Sequence, residues 1–311
     1  MRAVAVPTYG DPDVLTVSNL PIPEPGPGQI RIRTAAAAVN PTDLLLRSGA
    51  IAAYVEHLST PYVPGMDVSG IVDAIGDSTG FQPGDRVMAF INPFAEGRGA
   101  QAEYVIASAS DAVPIPESLD THAAASLPMN GLTAHEAVGL LNDLPQGATV
   151  AVTGATGAVG GYAIQLAKQR GYMVVAAAHD RDRELVQALG ADHVVRRSEG
   201  TAGYRAVLPL GADAVIDAAA LGETALKLTR DSGTLVKVRP YQLQTERGIR
   251  IHRVYVVDYQ PKKQALQQIA DLAAKGILLP RVAGLFNPGD AHHAHRALEN
   301  GGVRGRQLII F

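Results

Sequence analysis

The sequence predicts an α/β protein in which a β-rich region precedes a doubly wound parallel sheet. The first hundred residues alternate short β-rich runs with segments dense in proline and glycine, which is typical of antiparallel strands or a partial barrel. From residue 147 onward, short apolar strands alternate with helices that carry one apolar face. This alternation is typical of parallel strands joined by crossover helices.

The elements follow from these patterns in chain order. Strands are expected at 3–6, 30–34, 69–75 and 86–90, and one helix is expected over 123–141. In the second region, strands are expected at 149–153, 174–178, 193–194, 214–217 and 235–238, with helices at 162–170, 181–189 and 261–275. A strand over 307–311 closes the chain or forms a sheet edge.

Composition narrows the possible functions. The 311 residues are 47% hydrophobic and 18% charged, with a net charge of −3, so no general attraction to nucleic acid is expected. The absence of cysteine excludes disulfides, thiolate zinc sites and cysteine nucleophiles. We find no secretory leader and no apolar run long enough to span a membrane, which predicts a cytoplasmic protein.

A glycine-rich turn is the strongest local signal. It follows an apolar strand, places Gly154, Gly157 and Gly160 at three-residue spacing, and leads into a helix. The first glycine permits a tight turn, the second a close approach of the backbone to a pyrophosphate, and the third close packing of helix on strand. The residues expected to bind a dinucleotide here are Gly154, Thr156, Gly157, Ala158, Val159 and Gly160.

The charges after the second strand of this region favour NADPH over NADH. No acid lies inside that strand, whereas Arg181 and Arg183 follow it and Arg197 follows the next strand, so they could bind a 2′-phosphate. His179 belongs to the same group of candidates. Alternatively, these arginines only begin a solvated helix surface, paired with Asp180, Asp182 and Glu184. Separately, Asp180 lies about 20 residues after Gly160, where an acid that binds the ribose of NADH is expected.

Further motifs resemble the medium-chain dehydrogenase/reductase family over nearly the whole chain. They are Asn40-Pro-Thr-Asp43, Pro64-Gly-Met-Asp-Val-Ser-Gly70, Gly84-Asp-Arg-Val87, Ala102-Glu-Tyr104, Leu127-Pro-Met-Asn-Gly-Leu-Thr-Ala134, Leu189-Gly-Ala-Asp192 and Arg304-Gly-Arg306. The resemblance implies a GroES-like catalytic domain at 1–122 with 261–311, and a Rossmann domain at 123–260. It also implies a cleft between the domains for cofactor and substrate, and a homodimer joined through sheet edges, for which 254–257 is a candidate strand.

The resemblance also assigns site residues. Asn40 and Asp43 are expected beside the nicotinamide ribose or the substrate, and Thr133 near the nicotinamide. Asn40 could equally be a buried turn residue, and Asp43 could equally cap a helix. Tyr54 could donate to a developing oxyanion, or serve only in packing, as could Tyr62.

Two more residues are candidates from their positions. Asp217 ends a strand at the carboxyl edge, where ligands bind in such sheets. Arg306 could reach a cofactor phosphate or simply decorate the last strand.

Departures from the zinc-dependent branch of the family predict that no zinc is bound. That branch has a cysteine near position 40 and a His-Glu pair where this chain has Met66 and Asp67. His292, His293 and His295 are expected on a solvated helix face rather than around a metal. The resemblance therefore implies an NADPH-dependent, zinc-independent quinone oxidoreductase. The alternatives are a specialised enoyl or other double-bond reductase in a biosynthetic pathway, and a non-catalytic NADPH-binding sensor.

Overall fold

The computed structural model of the chain describes residues 1–96 and 98–311, which form two compact units. The first unit comprises Met1–Met129, Gln260–Ala274 and Pro280–Phe311, and the second comprises Asn130–Tyr259 and Lys275–Leu279. In the described residues no helix is both long enough and apolar enough to cross a lipid bilayer.

In the first 124 residues, strands outnumber helices. The strands are β1 (Arg2–Ala5), β2 (Thr16–Asn19), β3 (Gln29–Ala38), β4 (Asp67–Ile75), β5 (Arg86–Phe90), β6 (Tyr104–Ser108) and β7 (Ala112–Pro114). The α-helices are α1 (Pro41–Ser48), α2 (Pro93–Glu96) and α3 (Thr121–Ala124). Short 3-10 helices occur at Pro12–Val14, Ala52–Tyr54 and Ala109–Asp111.

The middle of the chain alternates strand and helix. Its elements are α4 (Pro128–Gly139), β8 (Thr149–Thr153), α5 (Ala158–Gln169), β9 (Met173–Ala178), α6 (Arg183–Ala188), β10 (His193–Arg196), α7 (Gly200–Val207), β11 (Ala212–Asp217), α8 (Glu223–Leu228), β12 (Thr229–Lys237) and β13 (Arg250–Arg253). The chain then closes with α9 (Lys262–Ala274), β14 (Val282–Phe286), α10 (Ala291–Glu299) and β15 (Arg306–Ile310).

The first unit is organised around a mixed sheet. Its strand order is β14-β15-β3-β4-β5-β7, with β6 also paired to β3. Along β3, Ile30, Ile32 and Thr34 are buried while the residues between them are less so, which is the period of two expected when a sheet covers a core on one face. The closing strand β15 lies between β14 and β3, so it is an interior strand rather than an edge.

The second unit is a parallel sheet flanked by helices. Its strand order is β10-β9-β8-β11-β12-β13, and every pairing is parallel. Its central strands are almost continuously buried, as is typical of a sheet covered on both faces. A β-rich unit and a doubly wound parallel sheet confirm the predicted fold class.

Two of the expected elements are wrong in detail. The helix predicted over 123–141 is two helices, because Pro128 begins a new helix and cannot continue the preceding one. The strand predicted over 254–257 is a turn-containing segment after β13 instead. Val254 still donates its N–H to the Lys237 oxygen at 3.1 Å, but the strand ends before it, and Val254 and Val256 are buried while Tyr255 is 38% exposed.

Candidate functional site

In the second unit, the glycine turn has the geometry that its sequence predicted. Gly154 has a φ of +65°, in the left-handed region that favours glycine. A Cβ on Gly160 would lie 2.2 Å from the carbonyl oxygen of Gly154, so α5 can approach the strand this closely only with glycine there. Gly157 is the N-cap of α5 and donates its N–H to the oxygen of Gly154 at 2.9 Å.

The start of α5 can hold an anion. Thr156, Ala158 and Val159 are only partly buried, and this 12-residue helix leaves N–H groups of its first turn without partners inside the helix. Those groups and the positive end of the helix dipole stabilise phosphate. The residues present therefore fit a dinucleotide pyrophosphate.

The candidates for the 2′-phosphate follow β9 and β10. His179, Arg181 and Arg197 are exposed, and Arg183 is half-buried at the first position of α6. The alternative, that these arginines belong to a solvated helix surface, is also supported, because Arg181 Nε lies 3.8 Å from Asp182. Asp180, the acid that would favour NADH, is paired with Arg196 Nε at 3.1 Å.

Asp217 is fully buried at the end of β11, where it accepts several hydrogen bonds. Thr153 Oγ1 donates to one carboxylate oxygen at 2.6 Å, and Tyr241 Oη donates to the other at 2.7 Å. Burial, with the hydrogen bond to this carboxylate, raises the pKa of the Tyr241 phenol. Asp217 therefore fixes the carboxyl edge of the sheet and the segment that carries Tyr241.

Sequence reasoning did not identify Tyr241. It lies four residues after β12 in a segment of irregular structure, and no periodicity or motif marks it. Its contact with a carboxylate 24 residues earlier depends on β11 and β12 being neighbours in the sheet.

In the first unit, a buried polar cluster brings together Asn40, Asp67 and Arg306. Asn40 Nδ2 donates to Asp67 Oδ2 at 2.7 Å. Arg306 Nη2 donates to Asn40 Oδ1 at 2.8 Å and to Asp67 Oδ2 at 3.0 Å. The pairing of β15 and β4 with β3 explains the arrangement, because Asp67 and Arg306 are the first residues of the two strands that flank β3.

Asp43 extends the cluster and caps α1. Its carboxylate accepts N–H groups from Asn40 and Gly65, each at 2.8 Å, and the amide of Gln101 at 3.3 Å. Burial raises the pKa of Asp43 to about 7, while the two backbone hydrogen bonds act in the opposite direction. The helix-capping role of Asp43 is thus present, and its role toward a ligand stays a prediction.

The remaining candidates have varied surroundings. Arg306 is 3% exposed, and among the described residues its Nη1 has no hydrogen-bond partner, so contact with a cofactor phosphate stays a prediction. Thr133 is buried in α4. Tyr54 is 61% exposed, whereas Tyr62 is buried and stacks on Tyr9 with ring centroids 5.8 Å apart.

The donor groups at the family's zinc positions do not fit zinc. Position 66 carries the thioether of a buried methionine, and Asn40 offers an amide whose two polar atoms already bond Asp67 and Arg306. In the described part of the chain, no three side chains of histidine, aspartate or glutamate are grouped so that they could hold a metal ion.

The histidine cluster near the end was only partly predicted. His293 is exposed on α10, but His295 is fully buried, so the expectation of a solvated face is wrong for His295. The helix turns this residue toward Arg47, whose charge contributes with burial to lowering the pKa of His295 to about 3.

Comparison with known proteins gives matches along the chain. Residues 26–117 match the alcohol dehydrogenase GroES-like domain, and residues 189–309 match the zinc-binding dehydrogenase model. The chain is 37% identical over 211 residues to a chloroplastic quinone oxidoreductase of Triphysaria versicolor, an alignment that covers 65% of this chain and 63% of that protein.

Two solved structures match over the whole chain. A quinone oxidoreductase from Coxiella burnetii is 29% identical with a TM-score of 0.91, covering 100% of this chain and 99% of that one. An NAD-dependent alcohol dehydrogenase is 30% identical with a TM-score of 0.87, covering both chains completely.

Proposed function

Since the chain belongs to the medium-chain dehydrogenase/reductase superfamily, in its quinone-oxidoreductase-like branch, we propose that it transfers hydride from NADPH to a quinone or another activated carbonyl or alkene. The observation that carries the proposal is the glycine turn, with Gly154 in the left-handed conformation and the close helix approach that only Gly160 permits. We further propose a cytoplasmic homodimer.

The second unit supplies the residues that would hold the cofactor. The backbone from Gly154 to Gly160 would bind the pyrophosphate. Arg181, Arg183 and Arg197 would bind the 2′-phosphate, and the ion pair of Asp180 with Arg196 supports this because it engages the acid that NADH would need. When bound, NADPH supplies the hydride.

In the first unit, the polar cluster is suited to positioning. Asn40 is fully buried with its amide fixed by Asp67 and Arg306, so its part would be to hold this cluster rigid. We propose that Asn40 and Asp43 orient the nicotinamide ribose or the substrate, that Thr133 lies near the nicotinamide, and that Tyr54 adjoins the acceptor.

The reaction needs no zinc. A quinone or enone delocalises the negative charge that arrives with hydride, and water can complete protonation. The donor groups at positions 40, 66 and 67 support this part of the proposal, because an amide, a thioether and an ion-paired carboxylate are a poor set for Zn²⁺.

The test is NADPH or NADH oxidation followed at 340 nm with 1,4-benzoquinone, 9,10-phenanthrenequinone and an α,β-unsaturated ketone, each with and without a chelator. We expect chelator-insensitive turnover that prefers NADPH. In an Arg181→Gln/Arg183→Gln variant the KM for NADPH should rise about tenfold or more with little change for NADH, since the lost bonds are charge-assisted. The exposed Lys227→Gln is the control.

Several outcomes would contradict the proposal. A preference for NADH in the wild type would overturn the arginine assignment and favour Asp180. Binding of NADPH without oxidation by any acceptor would remove the quinone assignment in favour of a specialised double-bond reductase or a sensor. Loss of activity on chelation, restored by zinc, would overturn the metal-free mechanism.

A further inference from the structure

The last residues of four neighbouring parallel strands form one row across the sheet of the second unit. Thr153 is in register with Asp217, and Asp217 is in register with Lys237. Lys237 is in turn in register with Arg253. Because in-register residues of neighbouring parallel strands project to the same face, the carboxyl edge carries a hydroxyl, a carboxylate and two cations in sequence.

Arg239 lies two residues beyond Lys237 and adds a third cation. Lys237, Arg239 and Arg253 are together called the carboxyl-edge cations. Lys237 Nζ donates to the backbone oxygen of Tyr241 at 2.7 Å and lies 5.1 Å from the centre of its ring. Arg253 has its guanidinium 4.7 Å from the centre of the Tyr255 ring. Arg239 and Arg253 are exposed, and Lys237 is half-buried, so aromatic rings support two of these charges at a solvent-accessible edge.

Within the part of the chain that the structure describes, the cations at the amino ends of β12 and β13, unlike those at the carboxyl ends, have carboxylate partners. On β12, Arg230 pairs with Asp213 at 2.7 Å. On β13, Arg250 lies 3.8 Å from Asp143. Across residues 1–96 and 98–311, by contrast, no carboxylate forms an ion pair with any of the carboxyl-edge cations. The cations at the amino ends of these strands therefore have carboxylate partners, whereas among the described residues the carboxyl-edge cations have none.

Asp217 and Glu136 lie near this edge but are engaged by hydrogen bonds and form no ion pair with these cations. Asp217 already accepts hydrogen bonds from Thr153, Tyr241 and Gly222. Glu136 accepts the N–H of Tyr255, and burial together with the nearby charge of Asp258 raises the pKa of Glu136. The exposed guanidinium groups of Arg239 and Arg253 are therefore not held by a carboxylate partner among the described residues and are available to a ligand.

We propose that the carboxyl-edge cations recognise an anionic group, a carboxylate, sulfonate or phosphate, on the electron acceptor. The inference rests on the proposed function, because it assigns a substrate class to the same reductase. Ligands of such sheets bind beyond the carboxyl ends of the strands, and the arginines after β9 and β10 are at the opposite side of the sheet from β12 and β13. A cofactor phosphate on those arginines leaves the carboxyl-edge cations for the acceptor, where guanidinium and ammonium form charge-assisted hydrogen bonds to oxyanions.

The test compares 1,4-naphthoquinone-2-sulfonate with neutral 2-methyl-1,4-naphthoquinone at saturating NADPH. The measured quantity is the kcat/KM for the sulfonate divided by that for the neutral quinone, in wild type, Arg253→Gln and Arg239→Gln. Comparing each variant with wild type cancels the difference in intrinsic reactivity of the two quinones. We expect this ratio to fall about tenfold in each variant, since hydrogen bonds to charged groups are worth about that factor.

Arg250→Gln is the matched control, because it removes a guanidinium from the amino end of the same strand, and its ratio should equal that of wild type. Added salt should lower the ratio in wild type more than in the variants, since screening weakens exposed charges. If the kcat/KM ratio is unchanged in both variants, the inference is overturned. Turnover of the neutral quinone in the same experiment would still support the proposed function. A raised KM for NADPH with an unchanged ratio overturns the inference as well, because the cations would then serve the cofactor.

If no acceptor oxidises NADPH, the proposed function is wrong. Anion recognition is then tested separately by measuring whether the sulfonated quinone binds. Calorimetric titration of 1,4-naphthoquinone-2-sulfonate into the protein with NADP⁺ should then give a Kd that Arg253→Gln raises about tenfold and Arg250→Gln leaves unchanged. Absence of binding, or equal binding by Arg253→Gln and wild type, overturns anion recognition.

Discussion

Replacing His295 by leucine should make the folded chain less sensitive to mild acid. The imidazole is fully buried on α10, and neither of its ring nitrogens has a hydrogen-bond partner among the described residues. Arg47, itself 2% exposed, contributes positive charge nearby. Burial and this charge lower the pKa of His295 from its ordinary 6.5 to about 3, so the folded protein resists protonating it.

The direction and size of the effect follow from proton linkage. Because the unfolded chain takes up a proton at His295 below pH 6.5 and the folded chain does so only near pH 3, stability is fully present above pH 6.5 and is lost as the pH falls through this window. At about 1.36 kcal/mol per unit of pKa difference, the full loss is on the order of 5 kcal/mol. Roughly 2 kcal/mol of it should be lost between pH 7 and pH 5.

The assay is urea denaturation followed by circular dichroism at pH 7 and pH 5, since the chain contains no tryptophan to report unfolding by fluorescence. Wild type should lose about 2 kcal/mol more than His295→Leu between these two values. The matched control is His293→Leu, which changes an exposed histidine of the same helix and should keep the pH response of wild type. Equal pH responses in wild type and His295→Leu would refute the reasoning.

Two further substitutions test the sites through stability. Gly160→Ala places a Cβ 2.2 Å from a carbonyl oxygen, so it should cost about 1–3 kcal/mol and weaken NADPH binding in a titration, whereas Gly139→Ala, which meets no atom within 4 Å, should do neither. Asp67→Asn leaves the buried Arg306 without its counter-charge and should cost about 3–5 kcal/mol in urea denaturation. The more exposed Asp73→Asn should cost less than about 1 kcal/mol, and a similar loss in both variants would contradict the argument.

The parts of the protein that sequence predicts are those set by local rules. The turn from Gly154 to Gly160 could be found because backbone sterics demand glycine at fixed spacing. The parallel sheet could be found because its strands are short apolar runs separated by helices. Neither inference required knowledge of which distant residues meet.

The polar cluster of the first unit lies beyond such rules. Asp67 and Arg306 are 239 residues apart, and they meet only because β15 pairs with β3 and β3 with β4. The burial of His295 was missed for a related reason. Its neighbours His292 and His293 share its polarity, and only the packing of α10 determines which of the three faces inward.

The row at the carboxyl edge shows why a charge has to be judged by its neighbours in the sheet. On the sequence, Lys237 and Arg253 are separate basic residues among many, and Arg230 and Arg250 look no different. The register makes the first two adjacent, while the pairing of the other two with Asp213 and Asp143 accounts for their charge locally. A cation that is paired with a carboxylate contributes to solubility and stability. Neighbouring cations without such a partner repel one another, and an anion that binds between them relieves this repulsion. That repulsion is the physical reason to expect selectivity for a charged acceptor.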